Sequence, residues 1–209
     1  MGVLKNGPFG VLNGKVGNLV SYELLGKNVT RIAGANNAAA SKGQLICRRE
    51  LAVVIAFLKP VNDFIRVGFM RKAAELNLYP HNVAVSVNKL NAVTGVYPDL
   101  AIDFSKVLVA QGILRVAEEV EVVRVADGIR FSWDAAVVSA DERMQTVMLM
   151  AYFPVLGEAI YSINGARRYV GTELLLLDEE LINEGMELYI SFISVPDNNV
   201  SDSVYAGKL

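Results

Sequence analysis

The chain has one cysteine, one histidine and one tryptophan among 209 residues. A lone Cys47 excludes an intramolecular disulfide, which fits a reducing compartment or an exported protein that does without cross-links. A lone His81 excludes a metal site built from several histidines. It leaves a Ser-His-Asp triad possible only through that residue. Long apolar runs are also missing. The longest, at 51–58, is far short of a membrane span, and residues 1–10 lack the apolar segment of a secretory signal. The expectation is an unprocessed, soluble chain without a membrane span. It would be cytoplasmic or part of a phage-like or non-classically exported particle, and its location is otherwise open.

Intact catalytic and ligand motifs are absent as well. Gly14-Lys15 invites a phosphate-loop reading, but position 16 is valine and Gly10 lies one residue too close. Strand-like sequence follows where that loop needs a helix. The calcium loop of EF-hands is missing. Asp178-Glu179-Glu180 and Glu118-Glu119 read as charged turns that protect strand ends. Arg48-Arg49, Arg71-Lys72 and Arg167-Arg168 are separated basic pairs, read as solvated faces rather than a nucleic-acid surface. Asn28-Val29-Thr30 and Asn199-Val200-Ser201 match the glycosylation pattern by chance. His81, after Pro80 at a helix start, reads as a capping or surface residue. Cys47 falls on an apolar stripe and reads as a packed small hydrophobe. No catalytic, cofactor-binding or metal residue is assigned.

What is present supports a folded core: 53% of the residues are hydrophobic and 20% charged. The net charge of −2 hides an asymmetry. Residues 1–80 hold 11 Lys/Arg against 4 Asp/Glu, and residues 81–209 hold 9 against 18. Such halves can attract each other within one molecule or between neighbours.

Leu19, Val20, Tyr22 and Leu24 suit a strand, Leu25-Gly26-Lys27-Asn28 a turn, and Val29-Thr30-Arg31-Ile32 a returning strand. Residues 34–40 read as a flexible connector. Cys47, Leu51, Val54, Leu58, Val61 and Ile65 then line one helical face, with Ser41 as N-cap. Pro60 predicts a kink or break, and Gly68 an end. Residues 81–94 fit strand alternation through Val83, Val85 and Val87, and also a helix. Helix is favoured because Asn88-Lys89-Leu90-Asn91 breaks the alternation.

Beyond the turn at Gly95-Val96-Tyr97-Pro98-Asp99 come candidate strands at 102–110, 120–125, 129–133, 146–153, 158–163, 172–177, 186–195 and 201–206. Short strands at this spacing, without intervening helices, predict an antiparallel sandwich. The predicted class is α+β: residues 1–98 as an N-terminal β-hairpin and kinked helical region, and residues 99–209 as a β-sandwich.

Phe131-Ser132-Trp133 in the second strand, Tyr189 and Phe192 in the sixth, and a closing strand at 200–205 resemble a fibronectin type III or immunoglobulin-like domain. The lack of paired cysteines brings it closer to the fibronectin type. Trp133 would anchor the core. Across the whole chain, Gly14-Lys15-Val16-Gly17-Asn18-Leu19-Val20-x-Tyr22, Gly26, Arg31, Phe57-Leu58-x-Pro60, Ile102-Asp103-x-Ser105-Lys106-Val107-Leu108 and Val200-Ser201-Asp202-Ser203-Val204-Tyr205-x-Gly207 resemble a Bacteroidota family of unknown function. Its members are of about this length. The resemblance implies a bacterial, phage or element-borne source and brings no activity; Asp141-Glu142-Arg143 matches no pattern.

Function follows by class. The expected reading is a non-enzymatic structural or assembly protein. It would self-associate into a homo-oligomer or filament through strand edges and the N-terminal segment. The alternative is a binding module for a glycan or protein, using sandwich loops. An enzyme would have only His81 and Cys47 as groups titrating near neutrality. No cofactor and no nucleic-acid partner is expected.

Overall fold

The computed structural model describes residues 2–5, 10–34 and 38–209. The fold is mixed α/β, every strand pairing in its sheets is antiparallel, and the chain divides into two units, Met1–Lys42 and Gly43–Leu209.

The first unit is a four-stranded meander of β1 (Val3–Lys5), β2 (Val11–Val16), β3 (Leu19–Leu24) and β4 (Lys27–Ile32), in that order across the sheet. The predicted hairpin is β3–β4, with two further strands before it. Its turn is tighter than expected. Lys27 and Asn28 already pair with Leu24 and Glu23, so only Leu25 and Gly26 turn. Both have positive φ, 48° and 74°, as a type I′ turn requires. Within the predicted connector, residues 35–37 lie outside the described residues.

The second unit opens with helices. α1 (Lys42–Leu58) ends just before Pro60, and α2 (Asn62–Gly68) follows, so the proline breaks the helix as expected. Val54, Leu58, Val61 and Ile65 of the predicted stripe are buried. Gly68 does end α2, for a packing reason: a Cβ there would lie 2.5 Å from the Val109 carbonyl oxygen. α3 (Met70–Leu76) and α4 (Pro80–Asn91) complete the helices. Residues 81–91 are thus helical, with Pro80 at the helix start, where its missing N–H costs nothing.

A hairpin of β5 (Val93–Val96) and β6 (Asp99–Ile102) follows. The boundary read at 98/99 from the sequence therefore falls inside this hairpin's turn, within the second unit. The strand expected at 102–110 stops at Ile102. Asp103 caps a 3-10 turn, Phe104–Lys106, by accepting from the Ser105 N–H. Val107 and Val109 do alternate into the core, but side chains rather than a strand satisfy the backbone beside them. The Leu108 N–H donates to Asn88 Oδ1, and the Val109 N–H donates to Ser203 Oγ.

Two sheets make up the rest. β7 (Glu121–Val125), β8 (Gly128–Ser132) and β11 (Thr172–Leu176) pair in the order β11-β8-β7. β9 (Thr146–Phe153), β10 (Glu158–Ser162), β12 (Glu187–Ser194), β13 (Asn199–Val200) and β14 (Val204–Lys208) form the larger sheet. There β9 lies between β10 and β12, and β12 also pairs with β13 and β14. A short helix, α5 (Glu179–Ile182), links β11 to β12. The closing strand is 204–208, later than the predicted 200–205. Val200 instead ends β13, and Ser201 to Ser203 turn toward β14 with side chains that bond other backbone.

The larger sheet is a shared middle layer. Val147, Leu149, Ala151 and Phe153 of β9, with Leu188, Ile190 and Phe192 of β12, pack on Ile129, Phe131 and Leu175 of the small sheet. The alternate residues Met148, Met150, Tyr152, Tyr189 and Ile193 pack on Phe57, Phe64, Ile65 and Val83 of the helices. Every residue of β9 and β12 is buried, and β9 is an unbroken apolar run from Val147 to Phe153. Trp133 is the predicted anchor: it lies in the sandwich core edge-on to Phe192, and its Nε1–H donates to the Arg168 carbonyl at 2.7 Å.

Candidate functional site

The front sheet has almost no interior. Ser21 is the one buried side chain among its described residues, and its hydroxyl meets that of Thr30 at 2.9 Å. Strand register sorts the other side chains into two faces, because cross-strand partners share a face and neighbours along a strand alternate. One face carries Val16, Leu19 and Ile32 in a row, all exposed, Ile32 by 73%. The other carries Lys15, Val20 and Arg31 in a row, with Tyr22 beside Val29 and Leu24 beside Lys27. The Arg31 guanidinium lies 6.0 Å from the Tyr22 ring centre, on that same face. Lys15, Lys27 and Arg31 are exposed, and none has an ion-pair partner among the described residues. β4 is an edge strand, so half of its backbone groups face away from any strand of its own sheet.

Opposite charge gathers in the second unit. The β7–β8 turn, the β9–β10 turn and the β11–β12 link all lie at one end of the sandwich, as the register and the Leu177 N–H to Asp127 carbonyl bond require. This end carries Asp127, Asp178, Glu179 and Glu180, all exposed, and the half-exposed Glu184. None of these five carboxylates has an ion-pair partner among the described residues. Exposed Val155, Leu156 and Leu176 lie at the same end. The opposite end holds a cleft of about 340 Å³ lined by Ala135, Ala136, Val138, Arg143 and Tyr169.

The residues singled out for chemistry do not converge. Gly14 and Lys15 lie within β2, as strand rather than phosphate loop. Cys47 is exposed, not packed, because the first half of α1 extends beyond the core that Val54 and Leu58 enter. Its Sγ accepts from Lys89 Nζ at 3.5 Å, and Lys89 also pairs with Glu50 at 3.1 Å. These contacts, Glu50 first, hold the Lys89 proton more tightly than usual. His81 lies eight residues before Lys89 on the same helix, about 12 Å along its axis, so no Cys-His pair forms. No cluster of three metal-ligating side chains occurs among the described residues, and no helix of theirs is long and apolar enough to cross a membrane.

Arg168 departs most from expectation. Read as part of a solvated pair, it is 1% exposed. Its guanidinium donates to the carbonyls of Arg115 and Val116 and to Gln145 Oε1 at 2.8–2.9 Å, and lies 4.2 Å from the Phe192 ring centre. Burial, and then the like charge of Arg115, lower its pKa. Arg167 keeps its half-exposed place and donates to the Met144 carbonyl. Asp141-Glu142-Arg143, which matched no pattern, belongs to a capping box. The Ser139 N–H donates to Glu142 Oε2 at 2.8 Å and the Glu142 N–H donates to Ser139 Oγ at 3.3 Å. The Ser139 N–H is the main cause holding the Glu142 carboxyl below the usual range.

The model of a family of unknown function, DUF6266, matches residues 11–207. The chain belongs to this family. No curated protein and no solved structure matches it. The motifs that carried the resemblance have structural roles in this DUF6266 member. Ser201 Oγ accepts from the Phe192 N–H, Asp202 from the Gly112 N–H, and Ser203 Oγ from the Val109 N–H, so this triplet staples residues 109–112 to β12. Asp103 binds Lys106 at 2.7 Å, and this contact is the main cause lowering its pKa. The signal that sequence reading missed is the spacing of Lys27, Val29 and Arg31, which puts both cations on one strand face.

Proposed function

We propose that this DUF6266 member is a non-enzymatic assembly protein that self-associates through its front sheet and the open edge of β4. The observation that supports it is a four-stranded sheet that, among its described residues, buries Ser21 and leaves Val16, Leu19 and Ile32 exposed. A sheet gains independent stability by packing an apolar face. Burying what these three side chains still expose, 43–73% of each, would contribute about 0.7–2 kcal/mol each. The edge of β4 offers backbone pairing to an added strand. A source in Bacteroidota, or in a phage or element carried there, is part of this reading.

Light scattering and negative-stain microscopy across a concentration series test it. Homo-oligomers or filaments are expected, weakened in the Leu19→Ser, Ile32→Asp double variant. A wild-type chain that stays strictly monomeric at high concentration, in low and moderate salt, sinks the reading.

The second unit is read as fibronectin III-like. Setting aside the two-residue β13, its first, second and fifth sandwich strands (β7, β8, β11) share one sheet, and its third, fourth, sixth and seventh (β9, β10, β12, β14) share the other. That order, with Trp133 between the sheets, is the support for it. It also favours a second reading, a glycan- or protein-binding module working through sandwich loops. Val137, Met144, Tyr169 and Val170 are exposed near the Arg143 cleft, as a loop-borne site would need. A glycan array and titration with candidate protein ligands test this, and Tyr169→Ala binding as well as wild type would remove the loop site.

A further inference from the structure

We propose that the basic face of the front sheet docks on the acidic end of the sandwich of a second copy, joining subunits head to tail. This rests on the self-association reading and adds a second contact, made by the face opposite Val16, Leu19 and Ile32.

Charge complementarity carries the argument. Residues 1–42 hold five Lys/Arg against one Glu, and residues 43–209 hold fifteen against twenty-one Asp/Glu. The excess is local on both sides. Lys15, Lys27 and Arg31 share a sheet face without a carboxylate among its paired positions on β2, β3 and β4. Asp127, Asp178, Glu179, Glu180 and Glu184 share one end of the sandwich, each without an ion-pair partner among the described residues. Each surface repels itself. Two front faces would bring like charges together, and so would two acidic ends, so charge disfavours a symmetric contact through either surface alone.

The apolar content matches too. Leu24 and Tyr22 stand among the cations, and Val155 and Leu176, exposed by 85% and 67%, stand among the carboxylates. Mixed surfaces of this kind desolvate apolar area while the charges set register and exclude wrong pairings. Because the two surfaces differ, each added subunit offers a fresh acidic end. The assembly closes into a ring or grows as a filament, depending on the rotation between neighbours.

A charge-exchange experiment tests it by sedimentation velocity. One variant carries Lys15→Glu, Lys27→Glu and Arg31→Glu; the other carries Glu179→Lys, Glu180→Lys and Glu184→Lys. The carboxylates replaced make no side-chain hydrogen bond among the described residues, and circular dichroism checks that both variants fold. Each variant alone is expected to need at least tenfold more protein to associate than wild type. An equimolar mixture is expected to recover association, since each reversed surface then meets its complement. A lysine variant that assembles as wild type does overturns the acidic end as receptor, and leaves self-association standing. Folded variants whose mixture stays monomeric also overturn it. A monomeric wild type instead removes the self-association reading itself.

Discussion

Arg168 carries a full charge into the interior and meets no carboxylate within ion-pair distance among the described residues. Three acceptors and the face of Phe192 take the place of an anion. The side chain ties residues 115–116, before β7, to the sandwich core. Arg168→Met removes the charge but strands those acceptors, so it is expected to destabilise by about 2–4 kcal/mol, read from the urea midpoint. Arg168→Lys should recover less than half of that, because an ammonium has neither the planar fork nor the stacking surface. Tyr205 makes a second prediction. Its hydroxyl donates to Glu187 at 2.5 Å, and burial, aided by that bond, raises its pKa to about 12. The folded state thus holds a proton that the unfolded chain releases near pH 10. The stabilisation is complete below pH 10 and is lost as pH rises from about 10 toward 12. Denaturation midpoints across that window should fall for wild type and fall less for Tyr205→Phe.

At the scale of elements, the β3–β4 turn places a leucine where φ is 48°. A branched side chain is costly in the left-handed region, whereas asparagine tolerates it. Leu25→Asn is expected to stabilise the front hairpin by about 1 kcal/mol, seen as slower hydrogen exchange of the β3 and β4 amides. Much of the element plan was legible beforehand. The strands at 146–153 and 172–177, the helix broken at Pro60 and the Trp133 anchor all appear, because periodicity and proline act locally. The strand expected at 102–110 failed for a different reason. Val107 and Val109 alternate as a strand does, yet the backbone partners of Leu108 and Val109 are the side chains of Asn88 and Ser203, which are distant in sequence. Cys47 failed because a helical stripe marks a face without marking where along the helix the core ends. The two charged surfaces were visible only as a bulk imbalance, since strand register is needed to sort side chains by face.

For the whole molecule, the middle sheet decides what can fold alone. A fragment of residues 99–209 keeps both sheets but uncovers Met148, Met150, Tyr152, Tyr189 and Ile193, which the helices cover. It is expected to aggregate on expression, whereas residues 43–209 should give a folded protein with one cooperative thermal transition. A soluble, native-like 99–209 fragment would return the boundary to where the sequence placed it.

The two-sided burial of β9 and β12 also bears on how this chain can change over generations. A strand with one wet face has positions where substitution is nearly free, and these absorb drift. Here all sixteen positions are buried, and twelve of them answer to one core or the other. A change in Leu149 is felt by the small sheet, and a change in its neighbour Met150 by the helices. Variation among descendants of this sequence should therefore collect in the loops away from the proposed contacts, leaving the two long strands as the slowest part of the molecule to diverge.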